Sequence, residues 1–346
     1  MQAQTKRDFK ADTRQMALLP TSYHLTPQTP SVMQMVVGRE HFTMSDGAHD
    51  QLATRIGIPR TYYDRMLADA PNLLAQNANN WLDKEPDTFL IRTLNQRARA
   101  VLSKSYRIID HIDLLRVILP EIKEKWPDLK IQSLGLTEDR LYLKATLDSL
   151  TREVRQGDPV RAGIVITNSE TGMTALKVQP LVERLICTNG MISADGAFTR
   201  RHVGVRSNVA QGEVAEYRAD TIEADNKALI LKARDTIGHI LNDEAFEKVV
   251  AKMRGATDRA VEEPIAAVRE VSKLFKMTES ERDGILGHFM HDHDHTQYGL
   301  LNAVTRHAQD VDSYQRSTEL EVIGHEILTL PVSDWTRIAR AYAAPA

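Results

Sequence analysis

Between residues 141 and 146, apolar and other side chains alternate. Leu141, Leu143 and Ala145 fall on one face, and Tyr142, Lys144 and Thr146 on the other. A period of two is that of a β-strand with two different faces. The pattern predicts a strand over 140–147, joined to a neighbour over 130–134 by Thr137-Glu138-Asp139. The run Gly163-Ile164-Val165-Ile166 continues the sheet over 161–167, and residues 174–187 add one or two strands. Asn168-Ser169-Glu170-Thr171-Gly172 reads as the turn between them. Upstream, 89–94 and 99–102 read as paired strands about a polar turn at Asn95 and Gln96.

Elsewhere the period is helical. Residues 45–80 predict three short helices. Ser45 caps the first, Gly57-Ile58-Pro59 separates it from a second over 61–67, and Pro71 opens a third containing Leu74 and Trp81. Asp110 stands where a cap belongs, ahead of the stripe Leu114, Leu115, Ile118 and Ile122. Beyond about residue 210 helical spacing dominates, with Thr278 and Glu281 in the pattern of a capping box. The order predicts an α+β chain: N-terminal helices, a central mixed or antiparallel sheet with packed helices, and a helical C-terminal part. The expected divisions are a polar arm over 1–31, a small helical lobe over 32–87, a core over 88–209 and a helical region over 210–346. No repeat or heptad pattern interrupts this order.

Composition narrows the function classes. With 44 Lys and Arg against 47 Asp and Glu, the 346-residue chain has a formal charge of -3. Nucleic acid would therefore have to be held by a local patch, not by bulk charge. A single cysteine, Cys187, excludes an internal disulfide and a four-cysteine zinc site, and its apolar surroundings suggest a buried structural thiol. No run approaches the roughly 18 apolar residues of a membrane span, and 1–19 has no hydrophobic signal core. The expectation is a cytoplasmic protein with no membrane partner.

Two basic stretches carry candidate chemistry. Residues 88–109 hold Arg92, Arg97, Arg99, Lys104 and Arg107 and no acid, with Tyr106 among them. Residues 197–209 hold Arg200, Arg201 and Arg206 beside His202, again without an acid. Such cations neutralise phosphates, and an interleaved tyrosine stacks on an unpaired base, provided the fold brings the stretches together. The structural alternative is a sheet face paired with distant acids. The turns at 168–172 and 187–191 have amides that suit an anion, but neither has phosphate-loop spacing. The tract His291-Asp292-His293-Asp294-His295 offers three imidazoles on one side if extended, and suits a divalent metal; its structural alternative is a solvated connector. No cofactor beyond that metal is indicated, and no nucleophile elbow is present.

A set of motifs resembles a known family. They are Ile91-Arg92-Thr93-Leu94, the run 97–103, Tyr106-Arg107, Asn168-Ser169-Glu170 with Gly172, the run 184–191, and the run 298–306. Together they are similar to phage- and plasmid-like proteins that carry a domain of unknown function, from about residue 40 onward. The resemblance implies a mobile-element setting, and the order of elements is loosely similar to the core of single-strand annealing proteins. Three readings follow. The first is a single-stranded DNA binding or annealing protein, as a homo-oligomer, using the two basic stretches. The second is a metal-dependent hydrolase or nuclease using His291, His293 and His295. The third is a non-enzymatic mobile-element protein that binds a host protein or self-assembles.

Overall fold

Three charged residues, Lys6, Arg7 and Asp8, lead into an apolar–charged alternation from Phe9 to Asp12, and there the chain forms its first strand, β1 (Lys6–Asp12). A computed structural model describes residues 5–21, 32–202 and 218–341. After β1 come β2 (Met16–Thr21), β3 (Val32–Val37), β4 (Glu40–Met44), α1 (Asp46–Arg55), α2 (Arg60–Asp69), α3 (Pro71–Lys84), β5 (Thr88–Leu94) and β6 (Arg97–Ser103). The six strands form one sheet in the order β1-β5-β6-β4-β3-β2, antiparallel except for the β4–β6 pair. Its core joins Phe42, Leu52, Tyr63, Leu74, Leu82, Ile91 and Val101. Ser45 caps α1 as predicted, its Oγ accepting from the Ala48 amide at 3.1 Å. The β5–β6 turn places Asn95 and Gln96 at φ 50° and 60°, the left-handed pair that matches strand twist in a two-residue hairpin.

This region departs from the expected divisions. Residues 6–21, assigned to a polar arm, are strands. Not all of their charges are solvated: Asp8 lies opposite Arg92 in the ladder and binds it. The proposed helical lobe begins with β3 and β4. β5 and β6 belong to this first sheet, so a boundary at residue 88 would cut through it.

The second body follows with α4 (His111–Lys125), β7 (Leu129–Leu136), β8 (Leu141–Arg155), β9 (Asp158–Asn168), β10 (Leu176–Arg184), β11 (Gly190–Ile192) and β12 (Phe198–Arg200). The sheet order is β11-β10-β9-β8-β7, antiparallel, with β12 also pairing with β10. Then come α5 (Ala219–Ile240), α6 (Asp243–Thr257), α7 (Pro264–Leu274), α8 (Glu279–His291), α9 (Gln297–His307), α10 (Tyr314–Leu328) and α11 (Val332–Ala339). The α+β class and the helical C-terminal part stand as expected.

The alternation in β8 sorts its two faces. Leu143 and Ala145 enter the large core with Ile118, Ile164, Ile237, Phe246 and Leu301. On the other face, Tyr142 meets the Tyr314 ring at 4.7 Å, and Lys144 Nζ binds Glu321 at 2.6 Å. Helix α10 therefore covers the more polar face with matching polar groups, because buried polar atoms need partners.

Candidate functional site

Helix α8 starts at a reciprocal cap. Thr278 Oγ1 accepts from the Glu281 amide at 3.2 Å, and Glu281 Oε2 accepts from the Thr278 amide at 2.8 Å. Arg316 of α10 donates to the same carboxylate at 2.7 Å, and holds it down at about 2. One face of the fixed helix carries Gly284 and, four residues on, His288. A methyl group on Gly284 would stand 2.4 Å from Cε1 of His307, the last residue of α9. The missing side chain is what lets the His307 ring lie against α8. Asp310 follows in the turn that closes α9, its amide bonded to the His307 carbonyl at 3.0 Å.

His288, His307 and Asp310 converge. His288 Nε2 lies 2.6 Å from Asp310 Oδ2, and His307 Nδ1 lies 3.5 Å from that oxygen. One ligand atom from each lies within 4.8 Å of the other two. His307 Nδ1 is buried without a hydrogen-bond partner among the described residues. Burial works against charge on Asp310, but His288, His307 and Arg306 outweigh it and keep the carboxyl below its usual range. Two imidazole nitrogens and a carboxylate oxygen, one nitrogen orphaned, fit a divalent cation of the zinc, manganese or iron group. Three protein ligands also leave a position for water or substrate.

An open cleft of ≈ 720 Å³ adjoins this group, with His288, His291, Asp292, Cys187, Thr188 and Arg306 on its walls. Arg306 is braced by the Cys187 carbonyl at 3.1 Å. Cys187, expected to be buried, is half-buried, because its segment turns outward past the end of β10.

The three histidines expected as metal ligands, His291, His293 and His295, do not belong to this cluster. His291 ends α8 and faces the cleft, and His293 is exposed at φ 52°. His295 turns inward, with its ring centroid 5.4 Å from that of Phe289. The connector is tied down by Val261, whose amide donates to the His295 carbonyl at 2.9 Å, and by Thr296, which caps α9. Its backbone is not one straight strand, so the three rings diverge. Among the described residues the cluster with the geometry to hold a metal is His288, His307 and Asp310. His288 was visible beside the tract. His307 and Asp310 carry no signal except a His and an Asp one turn apart at a helix end.

The first basic stretch is largely spent on carboxylates. Arg92 is buried and donates to Asp8 at 2.8 Å, to Asp110 at 2.6 Å and to the Glu170 carbonyl at 2.7 Å. Arg99 is buried against Glu170 at 3.1 Å, and exposed Arg97 pairs with Glu138 at 3.1 Å. Tyr106 is stacked on His202, with centroids 5.4 Å apart and planes at 9°, and its hydroxyl donates to Ser169. The expectation that Arg92, Arg97, Arg99, Lys104, Tyr106 and Arg107 contact nucleic acid is corrected for Arg92 and Arg99, which are buried against carboxylates, and Tyr106 is half-buried against His202. Lys104 stays exposed in the turn after β6. Asn168, Ser169, Glu170 and Thr171 are buried in the same knot, where the Glu170 carboxylate accepts from the His111 amide at 3.0 Å.

The two stretches do meet at one point. The Arg107 amide donates to the His202 carbonyl at 3.1 Å, and His202 Nδ1 lies 3.2 Å from the Arg107 carbonyl. Burial, followed by the charges of Arg92, His111 and Arg107, pushes His202 down to about 4, against the bond to that carbonyl. Arg107, Arg200 and Arg201 then share a second cleft with Asp225 and Lys232 of α5. Arg206 lies outside the described residues.

The family model for a domain of unknown function, DUF932, matches residues 98–326, about two-thirds of the chain. The chain belongs to the DUF932 family. Members of this family occur in phage- and plasmid-associated mobile-element proteins of unknown function. No curated protein and no solved structure matches the chain. The DUF932 region opens inside β6 and ends inside α10, so it takes in both clefts and His288, His307 and Asp310. No helix among the described residues is long and apolar enough to cross a membrane.

Proposed function

We propose that this protein is a divalent-metal-dependent hydrolase centred on His288, His307 and Asp310. The observation that carries the reading is the buried, partnerless Nδ1 of His307 facing a carboxylate and a second imidazole. Such a nitrogen costs on the order of 1–3 kcal/mol when it bonds to nothing. A bound cation would supply Lewis acidity and a more acidic water. The chain's residues do the rest. His288, His307 and Asp310 hold the charge in place, and Gly284 sets the depth of the His307 ring. Arg306 presents a braced positive charge to an anionic substrate in the adjoining cleft. That cation and the phage and plasmid setting of the family favour phosphate esters, nucleic acid included.

Annealing of single-stranded DNA as the whole function is less well supported. It needs a long track of available cations, and Arg92 and Arg99 are committed to Asp8, Asp110 and Glu170.

Metal content of the untagged full-length protein tests the proposal. About one equivalent per chain is expected after loading with zinc or manganese and dialysis. His288→Ala and Asp310→Asn should lose it, and the triple change of His291, His293 and His295 to Ala should keep it. Chelator-sensitive cleavage of phosphodiesters should follow the same pattern. Loss of metal from the triple variant alone, or no retained metal in the wild type, would overturn the assignment.

A further inference from the structure

The cleft between β12 and α5 lies away from the metal cluster. β12 pairs with the start of β10, Leu176 opposite Arg200, whereas Cys187 lies beyond its far end at Arg184. At about 3.3 Å per residue, nine residues of β10 separate the two clefts by roughly 30 Å. Binding in this cleft is therefore independent of whether His288 holds a metal.

We propose that this cleft binds the phosphate chain of a single nucleic-acid strand. It has a volume of ≈ 560 Å³, and Arg107, Arg200, Arg201 and Lys232 face Asp225 across it. Four cations against one acid make a strongly positive spot on a chain whose net charge is -3. Arg107 is already paired with Asp225, and its side chain is only 13% exposed. Arg200, Arg201 and Lys232 are exposed, and among the described residues none has a carboxylate within ion-pair distance. Elsewhere in the chain, arginines such as Arg92, Arg161 and Arg184 each have such a partner.

The cations are also seated on a rigid base. The bonds between Arg107 and His202 and the stack of Tyr106 on His202 fix the two segments together. The Thr199 hydroxyl and the Leu229 side chain complete the lining. A hydroxyl donor and several cations recognise phosphate oxygens, and an aliphatic wall accepts a sugar. Contacts to phosphate oxygens carry no sequence information, so binding through them should be indifferent to sequence. Arg200, Arg201 and Lys232 are exposed on its lining, so a chain can reach them from solvent.

Fluorescence anisotropy of the full-length protein with a short labelled single strand tests this. Affinity should fall with salt, the log–log slope being about -2 to -3 for three or four neutralised phosphates. Arg201→Glu with Lys232→Glu should weaken binding at least tenfold. Arg65→Glu, an exposed position on α2, should change it less than twofold. Asp225→Asn should tighten binding several-fold by releasing Arg107, an effect that a structural role for the pair would not give. Inorganic triphosphate should compete poorly. The proposal fails if the double variant binds like the wild type, or if Asp225→Asn weakens binding. It fails too if triphosphate displaces the strand at equal phosphate concentration, which would assign the cleft to a small polyphosphate. Should the double variant not fold, the Asp225→Asn result decides.

Discussion

Arg92 and Asp110 meet at 2.6 Å across the junction of the two bodies. Arg92 lies in β5 of the first sheet, and Asp110 precedes α4 of the second body. Asp8 and the Glu170 carbonyl accept three further bonds from the guanidinium, and Lys6 bridges Asp110 and Glu170. Removing the cation would strand the Asp8 carboxylate and leave Asp110 with Lys6 alone in a site with little water. Arg92→Ala should therefore cost about 3–5 kcal/mol in urea unfolding. Arg92→Lys should recover only part of this, because one ammonium cannot reproduce the planar fork. A loss under about 1 kcal/mol for Arg92→Ala would show that the knot does not hold the bodies together.

Glu170 in the same knot makes stability sensitive to acid. Burial raises its pKa, but the His111 amide, His111, Lys6 and Arg99 together outweigh burial and hold it at about 2. An unfolded glutamate titrates at about 4.3. The unfolded chain therefore takes up the proton first, and the stabilisation is complete above about pH 5. It is lost as the pH falls from there toward 2. Its size is roughly 3 kcal/mol at neutral pH. Glu170→Gln should be less stable at pH 7 and show a shallower loss between pH 5 and 3. An unchanged acid slope in that variant would count against Glu170 as the titrating group.

Much of the second body could be read from the chain, because its signals are local. The alternation through Leu143 and Lys144, the Thr278–Glu281 cap and the stripe at Leu114 and Ile118 depend on near neighbours. The first sheet was harder. β1 has only Phe9 and Ala11 as its apolar partners, and its charges make sense only beside Arg92, more than eighty residues away. The candidate site divides in the same way. A dense histidine tract shows in sequence, whereas the approach of Gly284 to His307 depends on how two helices cross. A basic stretch shows its cations but not Glu170 and Asp8, which absorb them. Asp110 was readable as a cap position, yet its carboxylate bonds Arg92 instead of the helix amides.

Lys144 and Glu321 form an ion pair under α10, with 15% and 8% of their side chains exposed. Burial raises the Glu321 pKa, and Lys144 opposes it. Lys144→Met should leave the carboxylate buried alone with its pKa raised further, so its deficit should grow as the pH rises above about 4.3, where the unfolded glutamate ionises and the buried one stays protonated. Lys144→Met with Glu321→Leu should recover most of the loss, because two apolar side chains carry no desolvation cost. A double variant no more stable than Lys144→Met would mean that the pair matters for shape, not charge.

Gly284 and Gly255 lead to opposite expectations for the same substitution. Both lie inside helices, where alanine is preferred by about 1 kcal/mol. A methyl group at Gly255 would meet no atom within 4 Å, so Gly255→Ala should stabilise by roughly 0.4–1 kcal/mol. At Gly284 it would stand 2.4 Å and 2.5 Å from Cε1 and Nδ1 of His307. The ring must move, and Gly284→Ala should cost about 1–3 kcal/mol and lower metal content together. Replacing His307 with Ala removes the obstacle, so Gly284→Ala should cost little in that background. The two changes should thus be strongly non-additive, as expected for side chains in contact. Additive effects would place the strain elsewhere, and Gly284 would no longer account for the depth of the His307 ring.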